Sequence, residues 1–472
     1  MTAASHRLCI ATLLLAATAQ SPAEPLRVLP ANPRYFTSGD GKAVLLAGSH
    51  TWSNFHNLGP EAGEAALDYD AYLDFLKSRN HNFFRLWACA LPHGTETRCA
   101  PFPWQRTGPG RATDGGPRFD LHKFDQAYFD LLRSRVAGAQ QRGIYVAVML
   151  FDGFGVELLR RPTDGYPLDQ GNNINGISAP GTTSQELSRP EVTAIQDAYV
   201  GQVIDTVNDL DNVLYEIANE AGGYSTRWQY HMIELVRQIE SRKPKQHPVG
   251  MTWQYKGGSE EALTDSPADW ISPGERLPQA SGAKVIINDT DHSFYYTYML
   301  DAGPEGQREW AWKNFTRGNN LAFMDPYLWI MPGRNAPNGR TLDPYWNEIR
   351  NALTDVRRYS TKVDLAGMTP HAELLADGGF CLANPGREYL VFAPGSVQGS
   401  STPARAFARV TSAFFGRSFA LQAASGTYSY EWFNPSTHRV AATGSVTLAD
   451  GGHSFTAPFH GAAVLWLRKA SP

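Results

Sequence analysis

The stretch "NVLYEIANEAG", Asn212 to Gly222, runs apolar and β-prone and then stops on two polar side chains, Asn219 and Glu220, followed by small residues. It reads as a buried strand that ends on a carboxylate. Seven other short apolar runs accompany it: "AVLLAGSH", "NFFRLWAC", "IYVAVMLFDG", "HPVGMTWQ", "DWISP", "KVIINDTDH" and "LAFMDPY". Between them lie segments with helical spacing of apolar residues, such as "DYDAYLDFLKSRN" and "RPEVTAIQDAYVGQVIDTVNDLD". Eight βα-like units in succession predict a (β/α)8 TIM barrel over residues 31–364, a doubly wound open sheet being the lesser alternative. The weakest joint is the fifth-to-sixth connection, "KGGSEEALTDSPA", which is short for a helix.

From about Gly367 the pattern changes to short alternating runs broken by Gly, Pro, Asn and Asp, which predicts a small antiparallel β-sandwich over 365–472. Its "YSYEW" segment presents Tyr428, Tyr430 and Trp432 in alternation as exposed aromatics, also the pattern of an ordinary half-buried strand. Bracing of the barrel is the expected role. The Gly/Ser/Pro-rich "PGSVQGSSTPA" reads as a surface loop.

The N-terminus has a basic start (His6, Arg7), an apolar run from Leu8 to Ala17 and a small-x-small site at Ala17 to Ala19. That is the pattern of a cleavable signal peptide, residues 1–19, ahead of an extended segment 20–30, and it implies a secreted or periplasmic protein. Cys9 leaves with the signal. Of the remaining cysteines, Cys89 and Cys99 bracket a loop short enough to bridge, and Cys381 reads as a buried small apolar residue. The net charge of −4, 19% charged residues and no basic tract argue against nucleic acid or an anionic membrane surface as partner. Aromatic content of 12%, with 12 Trp, fits flat faces offered to sugar rings, although core packing consumes most aromatics too. Oligomeric state is not readable.

The C-terminal ends of barrel strands form the active-site face of this architecture. Here the runs end on His50, Arg85, Asp152, Asn219 with Glu220, Trp253, Asp289 with Asp291 and His292, and Asp325. Each alone fits a helix cap, whereas seven such run ends together point to a site. Cleaving a glycosidic bond needs two carboxyl groups flanking the anomeric carbon. Glu220 is the acid/base candidate, its proton favoured by the apolar company of Tyr215, Ile217 and Ala218, and Asn219 can donate to the neighbouring sugar hydroxyl or serve only as a cap. Arg85 shares parity with Trp87 and points to the axis, where Glu216 competes for it as a structural partner. His50, Trp52, Trp253 and His292 are candidate sugar contacts. Asp152, Asp325 and Tyr327 are candidate polar contacts at the same mouth, with capping or loop packing as the bland alternative.

"NVLYEIANE" resembles the fourth strand of the clan of retaining (β/α)8 glycoside hydrolases, in which an Asn-Glu pair carries the acid/base and a Glu at the seventh strand end is the nucleophile. "RYFTSGDGKAVLLAGSHTWSNF", "FFRLW", "NNINGI", "IINDTDH" and "FMDPY" resemble cellulase-like bacterial barrels with a C-terminal β domain named for collagen binding. The resemblance implies a glycosidase acting on a plant or bacterial polysaccharide or oligosaccharide, without metal or cofactor. It also implies a matching second-strand arginine, here Arg85, that orients the nucleophile. The chain departs from the clan at the seventh run, which offers Asp289 and Asp291 but no Glu. Asp289 is the first choice for the second carboxylate and Asp291 the second. A carboxyl separation near ~5 Å gives retention and roughly 6.5–9.5 Å inversion. Two rivals remain: a metal-dependent hydrolase using His50, Asp289, Asp291 and His292, and a non-catalytic carbohydrate- or matrix-binding protein on a decayed barrel.

Overall fold

The computed structural model describes residues 24–52, 54–59, 67–93, 98–293, 295–327, 346–376, 379–395 and 416–470. The signal-peptide stretch and most of "PGSVQGSSTPA" lie outside them. Eight parallel strands, β1 (Ala47–His50), β2 (Phe83–Leu86), β3 (Tyr145–Asp152), β4 (Val213–Asn219), β5 (Val249–Thr252), β6 (Trp270–Ser272), β7 (Val285–Asp289) and β8 (Asn320–Met324), lie side by side in chain order, and β8 returns to β1. This is the expected barrel.

The seam between β1 and β2 carries no full ladder, and side chains close it instead. Asn82 Nδ2 donates to the Leu45 carbonyl at 3.0 Å and Asn82 Oδ1 accepts from Ala47 N–H at 2.9 Å. Beside them the backbones approach so closely that a Cβ on Gly48 would stand 2.1 Å from the Phe83 carbonyl oxygen.

Around the strands run α1 (Tyr69–Ser78), α2 (Gln126–Gln140), α3 (Gly153–Leu158), α4 (Pro190–Val207), α5 (Thr226–Glu240), α6 (Glu260–Thr264), α7 (Tyr295–Thr316) and α8 (Asn347–Ser360). Asp68, Asp125, Asp152 and Ser259 cap α1, α2, α3 and α6 by accepting a first-turn N–H. The joint without a helix is not the fifth-to-sixth one, where the Ser259 cap supports the single turn of α6. It is the sixth-to-seventh connection, residues 273–284.

Strand alternation builds the barrel interior in layers. At the bottom Leu46, Phe83, Tyr145, Leu214, Trp270, Val285 and Ile287 form an apolar plug. Gly250 leaves room there for the Trp270 indole, which a Cβ would meet at 1.9 Å. Two residues up each strand, the same face carries Arg85, Glu216 and Asp289.

Two long connections rise over the mouth. Residues 87–125 hold an antiparallel hairpin, Trp104–Arg111 with Pro117–Phe124, and the Cys89–Cys99 disulfide. Residues 153–189 zip onto that hairpin: Phe119 N–H donates to the Asn172 carbonyl and Ile174 N–H to the Phe119 carbonyl, both at 2.8 Å.

The C-terminal strands are β9 (Thr369–Pro370), β10 (Phe380–Asn384), β11 (Glu388–Ala393), β12 (Ser418–Ala423), β13 (Gly426–Asn434), β14 (Arg439–Leu448), β15 (Gly451–Thr456) and β16 (Ala463–Lys469). They form a six-stranded sheet, β9-β10-β11-β16-β13-β14, and a β12–β15 pair. The aromatics of "YSYEW" are not exposed: Tyr428 and Trp432 are buried with Leu421, Cys381 and Leu465 between the two sheets, and Tyr430 packs at the edge of that cluster. The other face of the large sheet places Phe392 and Phe433 against Trp312 of α7.

Replacing Asn82 by Ala strips the buried Ala47 N–H of its partner, at a cost of about 1–3 kcal/mol, while the Leu45 carbonyl keeps Arg357 Nη1 at 3.1 Å. The expected outcome in urea unfolding is a lower midpoint equivalent to a loss of about 1–3 kcal/mol. An unchanged midpoint would show that the seam holds without the side chain.

Candidate active site

Arg85, 1% exposed on β2, is the centre of the cluster. Its Nε and Nη2 donate to the two carboxylate oxygens of Glu216 at 2.8 and 2.5 Å, a fork-on-fork pair between β2 and β4. Nη1 donates to Asp289 Oδ2 at 3.1 Å and to Asp291 Oδ2 at 3.0 Å, and Nη2 also to Asn219 Oδ1 at 2.7 Å. Burial works against the charge, but Glu216, Asp289 and Asp291 outweigh it and hold the guanidinium protonated. The guanidinium also sits over the Trp87 ring at 4.9 Å, and that ring stacks on His50. Structural pairing and site assembly, alternatives in the sequence, are here one interaction.

The two aspartates at the end of β7 and just beyond it, Asp289 and Asp291, differ in how far they are engaged. Asp289 is fully buried, and both its oxygens are used: Oδ1 accepts from His50 Nε2 at 3.1 Å and from the Asp291 N–H at 3.0 Å, and Oδ2 takes Arg85 and His50 at 3.1 and 2.9 Å. Burial pushes its carboxyl up, but His50 and Arg85 prevail and hold it well below the usual carboxylate range. Asp291 keeps 13% of its side chain exposed and bonds Arg85 through Oδ2 alone. Burial, with the charge of Asp289 added, pushes it up to about 6 against the pull of Arg85.

Glu220 follows β4 with φ +48°, the left-handed region that a non-glycine residue rarely occupies. The kink ends the alternation of the strand. Outward-facing Val213, Tyr215 and Ile217 are buried against the helices, yet Asn219, next in that series, meets Arg85 at the axis. The Glu220 carboxyl is 7% exposed, and no hydrogen bond or ion pair reaches it among the described residues. Burial first, then the negative charge of Asp291, pushes it up to about 9. It therefore holds a proton at neutral pH beside a carboxylate that does not.

Asn219 has a fixed orientation, because its Oδ1 accepts from Arg85 and, at 3.3 Å, from His292 Nε2. Its Nδ2 is left to face Asp152 Oδ1 at 3.5 Å. Burial and Arg85 hold His292 well below the ordinary imidazole range, so the neutral ring donates from Nε2 and accepts the Ser272 hydroxyl at Nδ1, 2.7 Å away. Applied to "DWISP", the strand-end rule selects Ser272 as well. Asp152, pushed up to about 6 mainly by burial, caps α3 and touches Asn219.

Two of the remaining candidates, Asp325 and Tyr327, are engaged outside this cluster. Asp325 is buried in a two-pronged ion pair with Arg350 of α8, Nε to Oδ2 at 2.7 Å and Nη2 to Oδ1 at 2.5 Å. Tyr327 packs on Tyr72 and Phe75 of α1. Trp253 has Gly274 packed against its ring and leans on the outer core, while Trp52 packs beside Trp87. Among the described residues no group of three or more His, Cys, Asp or Glu side chains is arranged to hold a metal ion.

Residues 30–157, spanning β1 to β3, match a family model described as "Apiosidase-like, catalytic domain". No curated protein matches the chain. A solved structure titled "Glycoside hydrolase" is similar with a TM-score of 0.60 and 12% identity, covering 95% of this chain and 98% of that one. A glycoside hydrolase family 5 protein from Bacteroides vulgatus is similar with a TM-score of 0.59 and 14% identity, covering 94% of each chain. Likeness at such identities is a likeness of fold, and it takes in the barrel and the C-terminal sheets together.

Proposed function

We propose that the protein is an exported glycoside hydrolase that cleaves O-glycosidic bonds of a plant or bacterial polysaccharide or oligosaccharide through Glu220 and Asp291. The observation that carries this reading is the pair of unlike carboxyls: Glu220, unbonded and protonated, under the electrostatic influence of Asp291, which ionises first. Glu220 gives its proton to the leaving oxygen, while Oδ1 of Asp291, which takes no hydrogen bond among the described residues, attacks the anomeric carbon as the glycosidic C–O bond breaks. Glu220, now ionised, takes a proton from water, whose oxygen then displaces Asp291 and restores both groups.

Asp291 is preferred to Asp289 because an oxygen already shared between an imidazole and a guanidinium is a poor nucleophile. Asp289 instead fixes the Asp291 backbone and aligns Arg85. The cluster sets Glu216, Asp289 and Asp291 around one guanidinium, and that surplus of negative charge favours the oxocarbenium-like transition state. Asn219, with its amide N–H group turned away from Arg85, is placed to bond the hydroxyl beside the reacting carbon. The apiosidase-like match and the glycoside hydrolase fold support the substrate class. The Cys89–Cys99 bridge supports an oxidising compartment.

On an unactivated oligosaccharide, kcat/KM is expected to rise as pH passes about 6, where Asp291 loses its proton, and to fall as pH passes about 9, where Glu220 loses its own. Glu220→Gln should lower the rate by about 10²–10⁴-fold and abolish the alkaline limb. Wild-type activity on such an oligosaccharide with an unchanged rate in Glu220→Gln would reject the assignment, and saturable glycan binding with no turnover would favour a binding protein.

Asp291→Asn should lose activity to a similar extent while unfolding at nearly the wild-type midpoint. Asp289→Asn should lose stability as well, because breaking a buried pair costs about 3–5 kcal/mol. Azide restoring turnover to Asp291→Gly, with a glycosyl azide as product, identifies the nucleophile. Restoration in Asp289→Gly instead would reverse the two roles.

A further inference from the structure

A partly open cavity of about 70 Å³ lies beside the acid cluster, bounded by the end of β3, the two zipped connections and the outer helices α2 and α4. Its walls are aromatic and apolar, with Phe102, Trp104, Tyr128, Tyr166, Leu168 and Tyr199 the principal side chains. Asp152 belongs both to its lining and to the candidate site, since its carboxylate accepts from Asn219. The cavity therefore adjoins the place where the sugar unit next to Asn219 would sit.

Among the fully buried side-chain nitrogen and oxygen atoms of the described lining, all but one have a partner. The hydroxyls of Tyr128 and Tyr199 meet at 2.9 Å, and Tyr199 donates to the Leu150 carbonyl. Tyr166 donates to Ser184 Oγ, Gln196 bridges the Ser184 carbonyl and the Trp228 indole, and Gln185 Oε1 accepts from Tyr224. Asp152 is engaged by Gly155 N–H and Asn219. The exception is Trp104, only 8% exposed, whose Nε1 has no acceptor among the described residues. An indole N–H is a donor and nothing else, and leaving it unmatched in an apolar enclosure costs about 1–3 kcal/mol.

Three properties define what fits. The volume is about half the ~150 Å³ that accommodates a benzene ring in an apolar protein cavity, which suits a substituent of a few heavy atoms and excludes a second sugar ring. No Lys or Arg lines the space, so a carboxylate or phosphate finds no counter-charge there. The unmatched group is a donor, so the occupant must bring an acceptor, and a carbonyl oxygen brings one without adding a donor of its own.

We propose that this cavity is a side pocket for a small O-acyl substituent, of acetyl size, on the sugar unit held over Asn219, with its carbonyl oxygen accepting from Trp104 Nε1. The inference rests on the glycoside hydrolase reading for what carries the acyl group. The pocket is preformed, because the Cys89–Cys99 bridge and the backbone bonds between the two connections fix its outer wall.

The indole ¹⁵N–¹H spectrum of the full-length protein tests it, with Trp104→Phe used to identify the Trp104 signal. Titration with methyl acetate is expected to shift that signal saturably, in wild type and equally in Glu220→Gln. Propan-2-ol and methylammonium, of similar size, are expected to leave it in place. No shift with methyl acetate, or an equal shift with propan-2-ol, overturns the proposal. Because binding in Glu220→Gln is read without turnover, this failure is separate from a failure of the hydrolase assignment, which the pH profile and azide experiments report.

Discussion

A guanidinium inside a barrel is tolerated only if carboxylates surround it, since an uncompensated buried charge costs several kcal/mol. Arg85 meets that condition by drawing on three strands at once: Glu216 and Asn219 from β4, Asp289 at the end of β7 and Asp291 just beyond it, with β2 supplying the arginine itself. His50 of β1 joins through Asp289. Folding the barrel and assembling the site are consequently the same event, because a slip of one residue in any of these strands would turn its charged group away from the axis. The surplus of carboxylate over guanidinium has a chemical effect as well. It cannot be neutralised by the protein, so it raises the proton affinity of the least supported members, Asp291 and, above all, Glu220.

Glu220 differs from the rest of the cluster in being held by the backbone alone. A left-handed conformation at a non-glycine residue costs about 1–3 kcal/mol and persists only when its surroundings enforce it. Here the enforcement is close packing of the turn that follows: a Cβ on Gly223 would stand 2.1 Å from the Gly257 carbonyl oxygen, and Gly223 N–H donates to Lys256 at 2.6 Å. The strain releases the carboxyl from strand alternation and from every hydrogen-bond donor that would have lowered its pKa. A regular strand end would have delivered the same residue to Arg85 as an ionised carboxylate.

Period and strand-end chemistry made the barrel and the composition of its mouth legible, because both are local properties. The assignments that differ in the structure depend on partners remote in sequence. Asp325 looks like any strand-end aspartate until Arg350 is found beneath it, and Tyr327 until α1 covers it. Alternation in "YSYEW" identifies a two-faced strand, but only the β12–β15 pair decides that Tyr428 and Trp432 face a core. Parity likewise treats Asp289 and Asp291 as equals. Hydrogen-bond saturation separates them, through His50 on a strand more than two hundred residues away.

The long connections over the mouth carry a further constraint on what the site recognises. Loops of such length normally expose unsatisfied backbone, yet here asparagines occupy it: Asn172 Oδ1 accepts from Thr113 N–H, Asn175 Oδ1 from Leu121 N–H, and Asn173 Nδ2 donates to the Pro167, Asp169 and Ile177 carbonyls. The "NNINGI" stretch is thus a set of clamps. A wall held by its own hydrogen bonds does not have to be ordered when ligand arrives, so binding energy is not consumed in closing it. The same rigidity fixes the aromatic lining behind Asp152 and keeps an unmatched Trp104 N–H from finding a partner by rearrangement. Selectivity on this side of the mouth then comes from shape and from one donor, whereas the charge needed for chemistry stays concentrated around Arg85.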